Sequence, residues 1–291
     1  MMDSNKFKRG FKMKKILAIC ILAHAFCAGA FADEVEAQAL YSKRGENKDN
    51  AKLAADQYSS LAQTEVSGLK KAQLLSKEAE AIYFYGSRVT DNEVKKSAHD
   101  RGQKTAMVAV GILAAAPGVA KEPGFKTDLA TAYYWYGANL GKWGEANGVL
   151  ASLGRWPELK QNMQNILRLD ETVEDFGVYR ILGRGYMKVP FESSTEGLNF
   201  LKKAYDNTLT NIAGMTLSRN TTTIVFYLDL LKKKEEVETF CQVFKNMVKV
   251  TKLSDSDLLS YNSIRFPESK IDSAEFLANR DVQQYAKNEC N

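Results

Sequence analysis

The sequence predicts an all-α fold, a tetratricopeptide-like helical-repeat superhelix of antiparallel helix pairs, and three observations carry that prediction. Only five prolines and 19 glycines interrupt 291 residues. Apolar residues recur at helical spacing over most of the length, and strand-like alternation is nearly absent. Brief turns join the periodic segments, which sets successive helices antiparallel. A chain that is 45% hydrophobic and 26% charged is globular rather than disordered or fibrous.

The first segment reads as an address, not as structure. Lys12, Lys14 and Lys15 precede the apolar run Ile16 to Phe26, and Ala30-Phe31-Ala32 forms an A-x-A cleavage site before Asp33. Met13 is a second candidate start. The expectation is export, with residues 1–32 removed as a signal peptide and residues 33–291 left as a single helical-repeat domain that does not span a membrane. Neither Cys20 nor Cys27 follows a small residue, as a lipidated cysteine would. The signal carries six of the 40 basic and one of the 35 acidic residues, which leaves 34 of each. A formally neutral mature chain argues against a nucleic-acid partner.

Helices are then expected at Glu34–Lys43, Asp49–Gln63, Gly68–Tyr85 and Asn92–Ala114, the last stopped by Ala116-Pro117-Gly118. Thr127–Leu140, Trp143–Leu153, Pro157–Leu169 and Phe176–Lys188 follow. The remainder reads as Ser194–Thr208, Thr216–Lys233, Glu235–Thr251, Asp255–Ile264 and Asp272–Asn288. Self-similarity supports an array: Tyr133-x-x-Tyr136-Gly137-x-x-Leu140 recurs as Tyr179-x-x-Leu182-Gly183-x-x-Tyr186. In each motif the four positions share one side of a helix, and the glycine lets a neighbouring helix come close. Gly141-Lys142-Trp143-Gly144-Glu145-Ala146 is similar to the turn between the two helices of a tetratricopeptide repeat.

Tyr133, Tyr136 and Leu140 are the simplest seam residues. Trp135 and Asn139 fall on the opposite side, so this helix is aromatic or apolar nearly all round. Such a helix either packs between two layers or borders a cavity. Tyr134, Trp135, Asn139 and Trp143 are therefore the candidate wall of a small-ligand pocket, where aromatics supply area and an amide orients the guest.

Catalytic chemistry finds little to use. Once His24 leaves with the signal, His99 stands alone on a charged helix, without a nucleophile motif or a zinc-type Cys/His cluster around it. No phosphate-cradling glycine loop appears. The expectation is a non-enzyme with no metal and no cofactor. Asp170, Glu171, Glu174 and Asp175 cluster where negative charge favours the start of the helix Phe176–Lys188. Arg180 and Arg184, at i and i+4, share a face that could meet an anion or pair with Glu174 and Asp175. Asp255 and Asp257 beside Ser254 look like capping residues. Of four cysteines, Cys241 and Cys290 outlast the signal, and in an exported chain they are expected to form a disulfide, the alternative being two free thiols.

The run Tyr134-Trp135-Tyr136-Gly137-Ala138-Asn139-Leu140-Gly141-Lys142-Trp143-Gly144, with Tyr179-Arg180-Ile181-Leu182-Gly183-Arg184-Gly185-Tyr186-Met187-Lys188-Val189-Pro190, resembles the TatT-like family. These are T components associated with tripartite ATP-independent periplasmic (TRAP) transporters. Asp100-Arg101-Gly102 and Ala106 are similar too, so the resemblance spans roughly residues 34–250. It implies a periplasmic, non-enzymatic helical protein that docks on a solute-binding protein or another envelope protein and shelters a small organic ligand. The chain departs from that pattern in lacking a lipobox, and in carrying Phe191 to Gly197 where the family often has Gly-Gly. A helical-repeat adaptor that takes an extended peptide, without small ligand, is the alternative reading.

Overall fold

Local capping chemistry sets about half of the helix starts, and the computed structural model describes residues 33–115, 123–212, 214–261 and 265–290. The signal segment 1–32 and the stop at residues 116–118 lie outside these. Helix α1 (33–42) is followed by α2 (Lys48–Thr64), α3 (Gly68–Arg88), α4 (Asn92–Ala115), α5 (Phe125–Asn147) and α6 (Val149–Leu169). Next come α7 (Val173–Lys188), α8 (Ser194–Asn207) and the antiparallel strands β1 (Leu209–Ile212) and β2 (Met215–Ser218). The chain finishes with α9 (Thr221–Lys233), α10 (Val237–Val250), α11 (Asp255–Tyr261), α12 (Phe266–Ala278) and α13 (Arg280–Glu289). Asn47, Ser67, Ser193, Asn220 and Asn279 each offer a side-chain oxygen to an early amide of the helix that follows. Ser254 and Asp257 cap α11 reciprocally.

Thirteen helices among the described residues pack in sequential antiparallel pairs, as a helical-repeat array does. The two repeated glycines act alike. A Cβ on Gly137 would lie 2.3 Å from Met163 of α6, and one on Gly183 would lie 2.5 Å from Leu201 of α8. Among the described residues four apolar clusters run along the chain, centred on α1–α3, on α3–α5, on α5–α7 and on α8–α13. In the last, α10 buries Phe240, Val243, Met247 and Val250 on one face, each contributing roughly 1.5–3 kcal/mol. Cys241 of α10 is disulfide-bonded to Cys290, with Cα atoms 5.3 Å apart. Among the described residues no helix is long and apolar enough to cross a membrane.

Four local expectations are corrected. Gly141 to Ala146 is not a turn: α5 continues to Asn147, and the chain reverses at Gly148, whose φ of 94° suits glycine. Gly144 serves packing instead, since a Cβ there would lie 2.9 Å from the Ser152 hydroxyl. Pro157 does not open a helix but sits inside α6, which gives up one backbone hydrogen bond and continues. Thr216 belongs to a strand, because the hairpin turns at Gly214 (φ 76°) and Asn220 starts α9 only afterwards. The last helix is two, divided at Asn279, which ends α12 and caps α13.

The array also closes on itself. Arg44, in the turn after α1, makes two hydrogen bonds to Glu268 of α12, of 3.1 and 2.8 Å. Gly45 lies against Pro267, and Arg88 at the end of α3 is 3.9 Å from Asp272.

Candidate functional site

Between α5, α6 and α7 the chain leaves a cleft with a cavity volume of about 120 Å³. Its aromatic surface comes from Tyr83, Tyr134, Trp156 and Phe226. Five basic side chains line it, Lys142, Arg155, Arg180, Arg184 and Lys188, against one acid, Glu145, so the cleft favours an anion. Arg180, Arg184 and Lys188 arrive on one stripe of α7 by their spacing of four.

Four of the five cations sit towards the rim, and three of these have carboxylate partners. Lys142 meets Glu145 at 2.8 Å, Arg155 meets Glu158 at 2.5 Å, and Arg184 meets Asp229 at 3.0 Å while lying 4.6 Å from the centre of the Phe226 ring. Burial works against the Glu145 charge, but Lys142 and Arg184 outweigh it and hold its carboxyl below the usual range. Burial likewise opposes the Lys142 charge, and Tyr83 and Glu145 outweigh it.

Arg180 is different. It is 5% exposed, and among the described residues it forms no ion pair. Neutral acceptors hold it: the Tyr134 hydroxyl at 2.8 Å, the Thr223 hydroxyl at 3.3 Å and the backbone carbonyl of Glu174 at 3.3 Å. A buried guanidinium without a countercharge carries a desolvation penalty that an incoming anion would offset. Carboxylate suits it, because the planar fork donates to two oxygens at once.

Of the residues the sequence singled out, Tyr134 lines the cleft. Trp135 is 4% exposed and packs behind it, its ring centre 4.9 Å from that of Tyr134 and 5.6 Å from that of Tyr83. Asn139 is fully buried, and its amide donates to the carbonyls of Ala79 and Trp135. Trp143 stands near the mouth, 5.4 Å from the Arg155 guanidinium. Tyr136 is seam: its hydroxyl donates to Glu158 of α6. Sequence reasoning paired Arg180 with Arg184 but missed Lys188 at the next step, and missed Trp156 and Phe226, which come from helices distant in the chain.

His99 is fully buried and faces Asn139 at 3.1 Å through Nδ1. Because the Asn139 amide nitrogen is committed to two carbonyls, its oxygen accepts, and Nδ1 carries the proton. Nε2 is then a buried lone pair without a partner among the described residues. Burial pushes the imidazole down to about 4, against a smaller opposite effect of Asn139.

The acidic cluster that runs into the first turn of α7 is not a simple helix start. Glu174, Asp175 and Phe176 have φ of 54°, 54° and 56°, three successive residues in the left-handed region. That conformation costs roughly 1–2 kcal/mol per residue. The turn aims Glu174 at Arg265, while Asp175 meets Arg219 at 3.0 Å and Arg265 at 3.6 Å. Nearby, the Tyr41 hydroxyl donates to Glu80, whose carboxyl burial and Glu174 push up to about 7. Asp272, which accepts from Thr221 and Thr222, is pushed up to about 6 by burial.

No protein-family model matches the chain, and no curated protein matches it in sequence. One solved structure with detectable similarity, described as "Computational Design of Self-Assembling Cyclic Protein Homooligomers", is 14% identical, with 93% of this chain and 92% of that one aligned. The TM-score is 0.23, and a superposition that poor carries no argument about fold or function.

Proposed function

We propose that the chain is a periplasmic, non-enzymatic accessory protein, similar to a TRAP-transporter T component, that holds a small organic anion in the cleft between α5, α6 and α7 and docks on a solute-binding protein. The observation that carries the ligand half is Arg180, a buried cation held by neutral acceptors at an aromatic cleft. Its guanidinium takes the carboxylate, and Tyr83, Tyr134, Trp156 and Phe226 take the apolar body. The disulfide is compatible with an oxidising compartment. The partner half rests on the resemblance of residues 134–144 and 179–190. Native mass spectrometry of the protein, gently purified from the periplasmic fraction, tests both halves. The reading expects a retained small acid and a co-purifying solute-binding protein. A ligand-free protein that brings down unrelated envelope proteins would instead support the peptide adaptor.

A further inference from the structure

The left-handed turn at Glu174–Phe176 serves something the cleft does not need. Its two carboxylates hold Arg265, the N-cap residue just before α12, and Asp175 holds Arg219 as well. Helix α12 is the element that reaches back to the beginning of the array, through Arg44 with Glu268 and Arg88 with Asp272. Apart from Pro267 and Ile271, the contacts named along this seam are polar. Seams of that kind separate more readily than apolar ones.

We infer that Glu174–Phe176 is a strained latch: pinned by Arg265, it holds α12 across the N-terminal turn, and relaxed, it lets α12, still seated on α9 through Asp272 and in the C-terminal core through Phe276, swing off the N-terminal turn and open that seam. Three successive left-handed residues, none of them glycine or asparagine, persist only where their surroundings impose them. The turn is also tied to the cleft. Arg180 donates to the Glu174 carbonyl at 3.3 Å from inside the cleft lining, so an anion that claims the guanidinium competes with a bond that holds the turn. Linkage then works both ways: what opens the latch strengthens the anion site, and an occupied site loosens the latch. This coupling rests on the cleft reading; the latch itself does not.

Hydrogen exchange followed by mass spectrometry on the full chain tests it, in the wild type, Glu174→Gln and Glu268→Gln. Glu174→Gln should exchange about tenfold faster at residues 174–177 and 266–272, with α10 unchanged. Glu268→Gln cuts the seam at its far end, so 266–270 should speed up while 174–177 hold. Uniform acceleration across α10 in Glu174→Gln, unchanged exchange at 266–272, or a turn that follows Glu268→Gln would each overturn the latch. Benzoate, monitored in parallel by tryptophan fluorescence, should accelerate 174–177 in the wild type. Binding without that acceleration overturns the coupling and leaves the cleft reading intact. If benzoate does not bind, the cleft reading fails, and Glu174→Gln alone decides the latch.

Discussion

Acidification should unfold this protein through one histidine. His99 is fully buried, its Nδ1 proton is given to Asn139, and its Nε2 faces Gly86, where a Cβ would lie 2.9 Å from the ring. Burial disfavours the charged ring, and a second proton on Nε2 finds no acceptor among the described residues, so the folded imidazole stays neutral down to about 4. The unfolded chain takes up that proton near 6.5. The folded pKa is the lower one, so the unfolded state binds more protons between these values, and stability is lost as pH falls through the window. The gap corresponds to on the order of 3 kcal/mol, most of it gone by pH 4.5. Glu80 and Asp272 work in the opposite sense. Their folded values, about 7 and about 6, lie above the unfolded ones, so their contribution is present at low pH and lost as pH rises. The comparison that isolates His99 is therefore urea unfolding of the wild type and His99→Gln at pH 7 and 4.5. The amide keeps a donor for Asn139 and does not titrate. The wild type should lose about 2–3 kcal/mol more than the variant over this range. Parallel losses in the two proteins, or an imidazole that titrates near 6.5 by NMR, would refute the buried-neutral assignment.

Reduction of Cys241–Cys290, which closes a separation of 49 residues, should lower stability by about 4 kcal/mol, and coincident urea curves with and without reductant would contradict this. Gly102→Ala would place a Cβ 2.3 Å from the Asn139 oxygen, and Asn139 is fixed by two carbonyls. A loss of about 1–3 kcal/mol is expected, read as a lower thermal midpoint, and an unchanged midpoint would show that α4 and α5 can separate freely. Trp135→Ala should cost about 3–5 kcal/mol in urea unfolding while leaving benzoate affinity within about threefold, because the indole lies behind Tyr134 rather than in the cleft. A large affinity loss with the fold intact would return Trp135 to the pocket wall.

What could be read locally was read well. The helix starts at Gly68, Ser194 and Asp255 lie where the local pattern puts them, although Asp255 pairs with Lys270 and leaves the capping to Ser254 and Asp257, and the glycines at 137 and 183 announce close packing through a repeated frame. The aromatic run at 133–136 is harder. Its helix is apolar on both sides, so periodicity alone could not say that Tyr134 faces the cleft while Trp135 packs behind it. Pro157 and Gly141 misled for a related reason: tertiary packing carried α5 and α6 through residues that would break an isolated helix. The closure of the array had no local signal at all. Arg44 and Glu268 are far apart in the chain and ordinary surface residues by composition. The left-handed turn was equally silent, because Glu and Phe do not favour that conformation, a single Asp tolerates it only as an isolated residue, and Arg265 and Arg219 hold the turn from a distance. Arg180 was half legible: its partner at i+4 suggested an anion, but only the fold revealed that its acceptors are neutral.

The most direct test of the central claim is calorimetric titration of benzoate into the wild type and Arg180→Met, with circular dichroism as the check on folding. The account predicts saturable binding to the wild type and at least about a tenfold loss in a folded Arg180→Met, since a charge-assisted hydrogen bond contributes about 1.5–3 kcal/mol. Equal affinity in the two proteins would contradict Arg180 as the anchor, and with it the reading of the cleft as an anion site.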